Sequence, residues 1–242
     1  MNRSELGREI AYMQEQTKQI AGLAIRCIND AVAGLVEQDD QKAQAARLAE
    51  CKTDLIYDEI RERFLVAVAR QQPVAGDLRA LVTALEIAAE VERIADYGNN
   101  IAKLYLKKIS REEMRRISDH LTPLSQMAAI ATDMLGTAIK AYCDQDAVLA
   151  QKVVDQDEIV DTLNKVCFET VARLMATSSP AIEDNRVFFH INTISRYIER
   201  VADRSTNIAE IASYFATSYR PLHTKARLSL QAANVHLIEA DL

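Results

Sequence analysis

The chain contains an internal repeat, and no other feature of the sequence constrains its fold as strongly. The stretch "ERIADYGNNIA", residues 92 to 102, returns as "ERVADRSTNIA" 107 positions later, with seven of eleven residues identical. The same offset pairs Gln38 and Asp39 with Gln145 and Asp146, and no insertion is needed. Self-similarity at a fixed period indicates that the chain is a duplication of one structural unit.

Each unit of the repeat is predicted to be helical. The 242 residues include only six Gly and four Pro, which is typical of long helices rather than of sheets with frequent turns. In the first predicted helix, apolar or small residues recur at alternating spacings of four and three, which indicates a seam of the coiled-coil type. The seam positions are Leu6, Ile10, Met13, Thr17, Ile20, Ala24, Cys27, Ala31 and Leu35.

Breaks in this pattern divide each unit into three helices. "VEQDDQ" ends the first helix and "QQPVAG" ends the second, and Pro73 fits the first turn of the third helix. Ser110 and Glu113 have the spacing of a capping box, which predicts the start of the fourth helix. We therefore predict an all-α protein with two pseudo-symmetric three-helix bundles in tandem. The predicted domains are a first bundle at 1–109, a second bundle at 110–220, and a C-terminal tail at 221–242 that is a docking helix, a partner-binding segment or a frayed end.

Charge and cysteine content narrow the class of protein. A formal net charge of −6 argues against general nucleic-acid binding, which needs clustered Lys and Arg. The four cysteines form no CxxC pair and lie in apolar helical patterns, so we predict reduced thiols in the core. Because no uncharged apolar stretch approaches the ~20 residues that cross a bilayer, we expect a soluble, cytoplasmic protein.

Acidic residues recur in pairs, four positions apart, on two successive helices of each unit. Residues at this spacing lie on adjacent turns of one helix face. Neighbouring helices can bring two pairs together, and four nearby carboxylates are unfavourable unless a cation, protons or Arg neutralise them. Hard oxygen ligands suit Mg²⁺, Ca²⁺, Mn²⁺ or iron, and zinc is a further candidate. The pairs are Glu50 with Asp54 and Glu92 with Asp96 in the first unit, and Asp157 with Asp161 and Glu199 with Asp203 in the second.

A second interpretation of the acidic pairs stays open, because such pairs are common on solvated helix faces. Arg93 and Arg200 are available there as salt-bridge partners, and Asn100 continues the stripe. A di-iron site of the ferritin type is disfavoured, since no His follows a Glu at the required spacing. Asp77 and Arg79, which the second unit repeats, are interpreted as a charge pair at a helix start. No nucleotide-binding loop or nucleophile motif is found, so the residues alone indicate no enzyme.

Two segments of the chain resemble the PhoU family of cytoplasmic regulators of phosphate uptake: "QQPVAGDLRALVTALEIAAEVERIADYGNNIAK" and "RYIERVADRSTNIAE". The resemblance covers residues 5 to 218 and rests on Gln-Pro-x-Ala-x-Asp-Leu-Arg, Glu-Arg-Ile-x-Asp and Asn-Ile-Ala. The family fold is two pseudo-symmetric three-helix bundles, in agreement with the helix pattern. Ala95 and Ala202 stand where the family usually has Gly, a change that favours the helix.

The resemblance implies a function. It implies that the eight paired acids bind multinuclear iron or zinc clusters. It also implies a non-enzymatic adaptor that contacts the ATPase subunit of a phosphate ABC transporter and the sensor histidine kinase of the phosphate two-component system. A homodimer that approaches the membrane only through its partners is expected. Two alternatives stay open: a carboxylate bundle for metal storage or hydrolysis, and a related regulator of a different transporter.

Overall fold

The computed structural model describes residues 3–177 and 182–218, and within these ranges its regular secondary structure is entirely helical. Helices α1–α3 pack together as one bundle and α5–α7 as a second, which confirms the predicted fold class. The elements are α1 (Arg3–Glu37), α2 (Asp40–Gln71), α3 (Ala75–Lys108), α4 (Arg111–Ile117), a 3-10 turn (Ser118–His120), α5 (Thr122–Asp144), α6 (Ala147–Thr177) and α7 (Ile182–Thr217).

The predicted seam of α1 is the core of the first bundle. Every seam position is buried except Ile10, which is half-buried. Thr17 is tolerated there because its hydroxyl donates to the Met13 carbonyl at 2.8 Å, so no polar group is left unpaired. The alternating spacing of four and three therefore predicted the buried face correctly.

The repeated Gln-Asp pair forms the turn between the first two helices of each bundle. Gln38 and Gln145 adopt left-handed backbone conformations, with φ of 57° and 52°, and redirect the chain after α1 and α5. Asp39 then accepts hydrogen bonds from two backbone N–H groups at the start of α2, at 2.8 and 3.2 Å. Asp146 does the same for α6, at 2.9 and 3.0 Å. The dipeptide recurs because both turns need one chain-reversing residue and one N-cap.

Two helix starts differ from the predictions and one agrees. The capping box of Ser110 and Glu113 is confirmed, with both of its hydrogen bonds present. The predicted fourth helix is not continuous, because Pro123 lies in the first turn of α5 and the chain before it forms α4 and a 3-10 turn. Pro73 precedes α3 instead of lying in its first turn, since the extended N-cap is Val74.

The prediction of core thiols holds for half of the cysteines. Cys27 and Cys167 are buried, whereas Cys51 and Cys143 are exposed, and all four are free thiols. The prediction was wrong for Cys51 and Cys143. An apolar helical pattern shows that a helix has a buried face, but it does not show whether a residue next to that face is itself buried. Cys51, for example, directly follows the buried Glu50 but points to solvent.

The two bundles pack side by side through α1 against α5 and α3 against α7. Tyr97 stacks on Tyr197 with ring centroids 5.8 Å apart, and Arg204 pairs with Glu90 at 3.1 Å. From the first contact to the second, the residue number falls from 97 to 90 on α3 and rises from 197 to 204 on α7. The two helices are therefore antiparallel. The repeat offset exchanges Tyr97 with Arg204 and Glu90 with Tyr197, so a pseudo-twofold axis crosses this contact. Helices α2 and α6 lie on the outer sides.

One helix of the described residues, at Glu5–Glu37, is long and apolar enough to cross a membrane by length and composition. This helix packs on α2, α3 and α5, and 56% of its apolar window is buried inside the protein. The core helix of a soluble protein passes the same test. The predicted tail at 221–242 and the repeat-matched Pro180 lie outside the described residues.

Candidate functional site

The packing of α2 against α3 positions the acidic pairs of the first bundle. Glu50 and Asp54 lie one turn apart on α2, and Glu92 and Asp96 lie one turn apart on α3. Glu50 is 8% exposed, and the other three side chains are half-buried. These four acids therefore lie at the edge of the core and not on a fully solvated helix face.

Three of these four acids have a raised pKa, and in each case a carboxylate of the neighbouring helix contributes. Burial raises the pKa of Asp54, and the carboxylates of Glu50 and Asp96 raise it further. Burial also raises the pKa of Glu92, followed by Asp96 and Asp54. For Asp96, burial is again the main cause and Glu50 the second. The four groups form one electrostatic cluster, which we call the α2–α3 acidic cluster.

Two polar side chains of this cluster were not predicted. The Asn99 amide donates a hydrogen bond to Glu50 Oε1, and Asn99 is buried. Lys103 lowers the pKa of both Asp54 and Asp96, against the effect of the surrounding acids. Asn99 lies three positions after Asp96, and Lys103 lies four positions after Asn99, so both continue the α3 face of Glu92 and Asp96. The helical spacing of the sequence was therefore sufficient to predict them. Asn100, which was predicted to continue the stripe, lies four positions after Asp96 on the same helix and is half-buried.

Cys27 borders the α2–α3 acidic cluster from α1. Its thiol is buried, and burial raises its pKa to about 12, with a further contribution from Glu50. The thiol donates toward the backbone carbonyls of Ala46 and Ala95 at 3.2 and 3.4 Å. A thiol with a raised pKa stays protonated at neutral pH, so Cys27 has a packing role in this structure.

Two oxygen atoms in the α2–α3 acidic cluster have the surroundings that a bound cation would need. Asp54 Oδ1 and Asn99 Oδ1 are buried and accept no hydrogen bond within the described residues. Unpaired acceptors beside four acids are the chemistry that a hard cation satisfies. However, within the described ranges no three His, Cys, Asp or Glu side chains are arranged to hold a metal ion. Metal binding at this place would therefore require changes of side-chain rotamer.

The second bundle presents its four acids on α6 and α7, which pack against each other. Asp157 is 8% exposed, as buried as its repeat partner Glu50. Asp161, Glu199 and Asp203 are half-buried, and Glu199 pairs with Arg196 at 3.6 Å. The burial of the acids is thus repeated between the bundles.

The neighbours of the second set of acids differ from those of the first. At the offset of 107, Asn99 becomes Thr206 and Lys103 becomes Glu210. The amide and the ammonium group that modulate the α2–α3 acidic cluster are therefore replaced at the matching positions. The two sets of acids are equivalent in position but differ in their chemical surroundings.

Comparison with known proteins gives a consistent family assignment. The model of the PhoU domain matches residues 17–105 and again residues 124–212. A "Phosphate-specific transport system accessory protein PhoU homolog" of Rhizobium meliloti is 28% identical over 221 residues, which cover 90% of each chain. The corresponding accessory protein of Edwardsiella tarda is 26% identical and covers 87% of this chain and 84% of its own.

Two solved structures have the same fold. The crystal structure of PhoU from Pseudomonas aeruginosa matches with a TM-score of 0.74 and 25% identity, over 88% of this chain and 99% of that one. The phosphate transport system regulatory protein PhoU from Streptococcus pneumoniae matches with a TM-score of 0.73 and 19% identity, over 90% of this chain and 99% of that one. The second likeness concerns the fold alone.

Proposed function

The chain belongs to the PhoU domain family, and from this premise we propose that it is a non-enzymatic accessory protein of phosphate transport. The observation that carries the proposal is the pair of PhoU domain matches, which together span both bundles. Relatives that cover about nine tenths of the chain are named as accessory proteins of phosphate-specific transport. The matches cover about nine tenths of the relatives as well. The proposal therefore concerns the role of the whole protein and not that of a single domain.

The finer role that we propose is that of an adaptor. It would contact the ATPase subunit of a phosphate ABC transporter and the sensor histidine kinase of the phosphate two-component system. Such a protein restrains uptake only if it binds one state of its partner more tightly than another. We further propose that it works in the cytoplasm as a homodimer, and reaches the membrane through its partners.

We also propose that the acidic pairs bind iron or zinc as multinuclear clusters. Glu50, Asp54, Glu92 and Asp96 would hold the metal on the first bundle. The repeat-matched acids would hold the second cluster: Asp157, Asp161, Glu199 and Asp203. Bound cations would neutralise the mutual repulsion of the carboxylates and link α2 to α3. The unpaired oxygens of Asp54 and Asn99 support this assignment.

The adaptor role is tested by retention of the purified transporter ATPase on the immobilised full chain. We expect retention that differs between phosphate-rich and phosphate-poor buffer. The purified sensor kinase domain is assayed in the same way. Failure to retain the ATPase in both buffers would contradict the adaptor role, whatever the metal content of the protein.

The metal sites are tested by elemental analysis of protein purified without chelators. We expect more than one equivalent of iron or zinc, and its loss when Glu92, Asp96, Glu199 and Asp203 are all changed to Ala. A matched control is Asp58→Ala with Glu62→Ala, an exposed acidic pair at the same spacing on α2. Equal metal in the wild type, the quadruple variant and the control would remove the site assignment.

The α2–α3 acidic cluster also favours a second candidate function, which is metal storage or metal-assisted hydrolysis. Assays for ferroxidase and phosphatase turnover with added iron, manganese or zinc distinguish it from the adaptor. Turnover that is lost in the Asp96→Ala and Asp203→Ala variants would favour an enzyme. We expect no turnover, since no nucleophile with an adjacent base was found in the sequence.

A further inference from the structure

The contact between α3 and α7 has two halves, which the pseudo-twofold axis relates. In one half, residues of the ranges 75–93 and 207–214 line a groove of about 680 Å³, which we call the α3–α7 groove. In the other half, the C-terminal part of α3 faces the N-terminal part of α7. The repeat offset of 107 identifies the residues of this second half that match those of the groove.

The α3–α7 groove carries charges of both signs. Arg93 lies 3.8 Å from Glu90 within it. Two arginines and three glutamates line the groove: Arg79, Arg93, Glu86, Glu90 and Glu210. Because cations and carboxylates in such proximity offset one another, the groove as a whole presents no strong field of one sign.

Arg79 is held by α7 at one end of the α3–α7 groove. It was predicted to pair with Asp77, but it donates a hydrogen bond to Ser218 Oγ instead. Its guanidinium also lies 5.7 Å from the centroid of the Tyr214 ring. The cation at this end of the groove is thus engaged by neighbouring side chains of the same chain.

The glutamates of the groove have no acidic counterparts in the second half. At the repeat offset, the three glutamates become Thr193, Tyr197 and Lys103. The two arginines are kept as Arg186 and Arg200, and both of these side chains are exposed. The second half therefore keeps the cations of the groove and loses its carboxylates.

Two further cations and an aromatic ring extend this second half. Arg196 matches Ala89 of the groove, and Lys107 matches Tyr214. Phe189 is 58% exposed and shares one face of α7 with the three arginines, because successive spacings along the helix are three, seven and four. We call this surface the basic strip and define it by five residues of α3 and α7: Lys107, Arg186, Phe189, Arg196 and Arg200.

Most cations of the basic strip lack a carboxylate partner in the described parts of the chain. Arg196 lies 3.6 Å from Glu199. Lys107, Arg186 and Arg200 form no ion pair with any residue that the structure describes. Exposed positive charge is thus concentrated on one surface of a protein whose formal net charge is −6.

Cations of α3 and α7 converge at one end of the basic strip, beside His190. Burial lowers the pKa of His190, Glu113 raises it, and Arg186 and Lys108 lower it further. Glu113 is engaged in the capping box of α4, where it accepts a hydrogen bond from the Ser110 N–H at 2.7 Å. The positive groups of both helices therefore lie close enough together to act on one imidazole.

The basic strip is narrow, because it follows the contact of only two helices. Packed helices lie about 8–10 Å apart. The α2–α3 acidic cluster borders the strip on the side of α3, and Glu199 and Asp203 border it on the side of α7. A bilayer or a nucleic-acid duplex is wider than the strip, and its phosphates would also lie over these acids. A single polypeptide segment would meet the cations alone.

We propose that the basic strip binds an acidic segment of a partner protein. The distance along α7 from Arg186 to Arg200 is about 21 Å, which corresponds to about four turns of a bound helix. An apolar side chain of the segment packs on Phe189, since exposed aromatic residues among arginines are typical anchors of interfaces. Complementary charge speeds the encounter and selects the partner. This inference rests on the proposed adaptor role and assigns the surface that such a role requires.

Binding of the purified transporter ATPase and of the purified sensor kinase domain to charge-reversal variants of the full chain tests the basic strip. Arg186→Glu with Arg200→Glu should weaken binding of the protein that carries the acidic segment by about tenfold or more, because like charges then face each other. The matched control is Arg26→Glu with Arg70→Glu, which changes the net charge equally at exposed positions of α1 and α2. The control should bind as the wild type does.

Salt and the aromatic anchor give a second readout. Raising the ionic strength should weaken binding of the wild type more than binding of the Arg186→Glu, Arg200→Glu variant, because salt screens exposed charges. Phe189→Ala should weaken binding by about threefold or more and keep the salt dependence of the wild type, since it removes apolar contact and no charge. Circular dichroism of each variant shows that the bundles are still folded.

The outcomes separate this inference from the adaptor role. Wild-type affinity in the Arg186→Glu, Arg200→Glu variant, or an equal loss in the control, would overturn the basic strip and leave the adaptor role standing. A wild type that binds neither protein would overturn both. Binding of the wild type to phosphatidylglycerol vesicles that the same double variant abolishes would assign the strip to a membrane and refute the protein segment.

Discussion

At the scale of single residues, α1 passes so close to Gly98 of α3 that no side chain fits between them. A Cβ atom at this position would lie 2.5 Å from Cys27 Sγ and 3.1 Å from the Cys27 carbonyl carbon. The backbone of Cys27 cannot move without shifting α1, so the absence of a side chain is what allows the contact. Gly22 on α1 differs, since a Cβ there would meet nothing within 4 Å.

Gly98→Ala is therefore expected to destabilise the protein. Forcing a methyl group into a closed contact typically costs about 1–3 kcal/mol in the free energy of unfolding. Gly22→Ala is the matched control and should stabilise the fold by about 0.5–1 kcal/mol, because Ala is the better residue in a helix interior. Urea unfolding followed by circular dichroism measures both. A Gly98→Ala variant as stable as Gly22→Ala would contradict this account.

A second prediction at this scale concerns the pH dependence of the α2–α3 acidic cluster. The pKa of Asp54 is raised in the folded protein, so the fold favours its protonated form. Its contribution to stability is present below the ordinary pKa of 3.8 and is lost as pH rises through the folded pKa. Asp54→Asn should thus be more stable than the wild type at pH 7, and the difference should vanish near pH 3.

The expected gain from Asp54→Asn is below about 1 kcal/mol, because solvent screens a half-buried carboxylate. The measurement is urea unfolding across pH in the presence of a chelator, so that bound metal does not contribute. Asp133→Asn on α5 removes an exposed carboxylate and controls for the substitution itself. A wild type that gains stability over the variant as pH rises would reverse the sign and refute the argument.

At the scale of elements, the repeated turns between helices depend on one aspartate each. Asp39 and Asp146 cap the helices α2 and α6 with two backbone hydrogen bonds apiece. The sequence predicted that these positions break the helical pattern, because the Gln-Asp pair recurs at the repeat offset. The break inside the predicted fourth helix was not predicted, although Pro123 fits the first turn of a new helix.

Replacing an N-cap aspartate by alanine should destabilise the protein by about 1 kcal/mol. We expect this for Asp39→Ala and, separately, for Asp146→Ala. Asp39→Asn is the matched control, since Asn caps a helix as well as Asp does and should change stability by only a few tenths of a kcal/mol. Thermal and urea unfolding test the three variants. Equal losses for Asn and Ala at position 39 would show that charge, and not capping, is responsible.

At the scale of the whole molecule, the buried residues form one continuous core that spans both bundles. The contacts of α1 with α5 and of α3 with α7 join the bundles along their length. The Glu90 side chain in this contact is 15% exposed and accepts hydrogen bonds from Arg204 and Asn207. An interface with a shared core and a half-buried ion pair couples the bundles, so we expect them to unfold together.

The native cysteines report on this coupling. Cys27 is buried in the first bundle and Cys167 in the second, so each becomes reactive only when its own bundle opens. Pulsed alkylation across a urea series, read by peptide mass spectrometry, should give the same midpoint for both thiols. Cys51 and Cys143 are exposed and should react without urea, which serves as the internal control. Separate midpoints for Cys27 and Cys167 would show that the bundles unfold independently.

The sequence by itself determined the helices, the duplication and the buried face of α1, because helical periodicity and caps are local properties of the chain. Only the tertiary structure decided that the acids of α2 and α3 form one cluster, that Asn99 donates a hydrogen bond to Glu50 within it, and that Arg79 reaches the Tyr214 ring of α7. Such partners depend on how two helices are rotated and shifted against each other. That register is set by the packing of the whole core, and a single helix does not contain it.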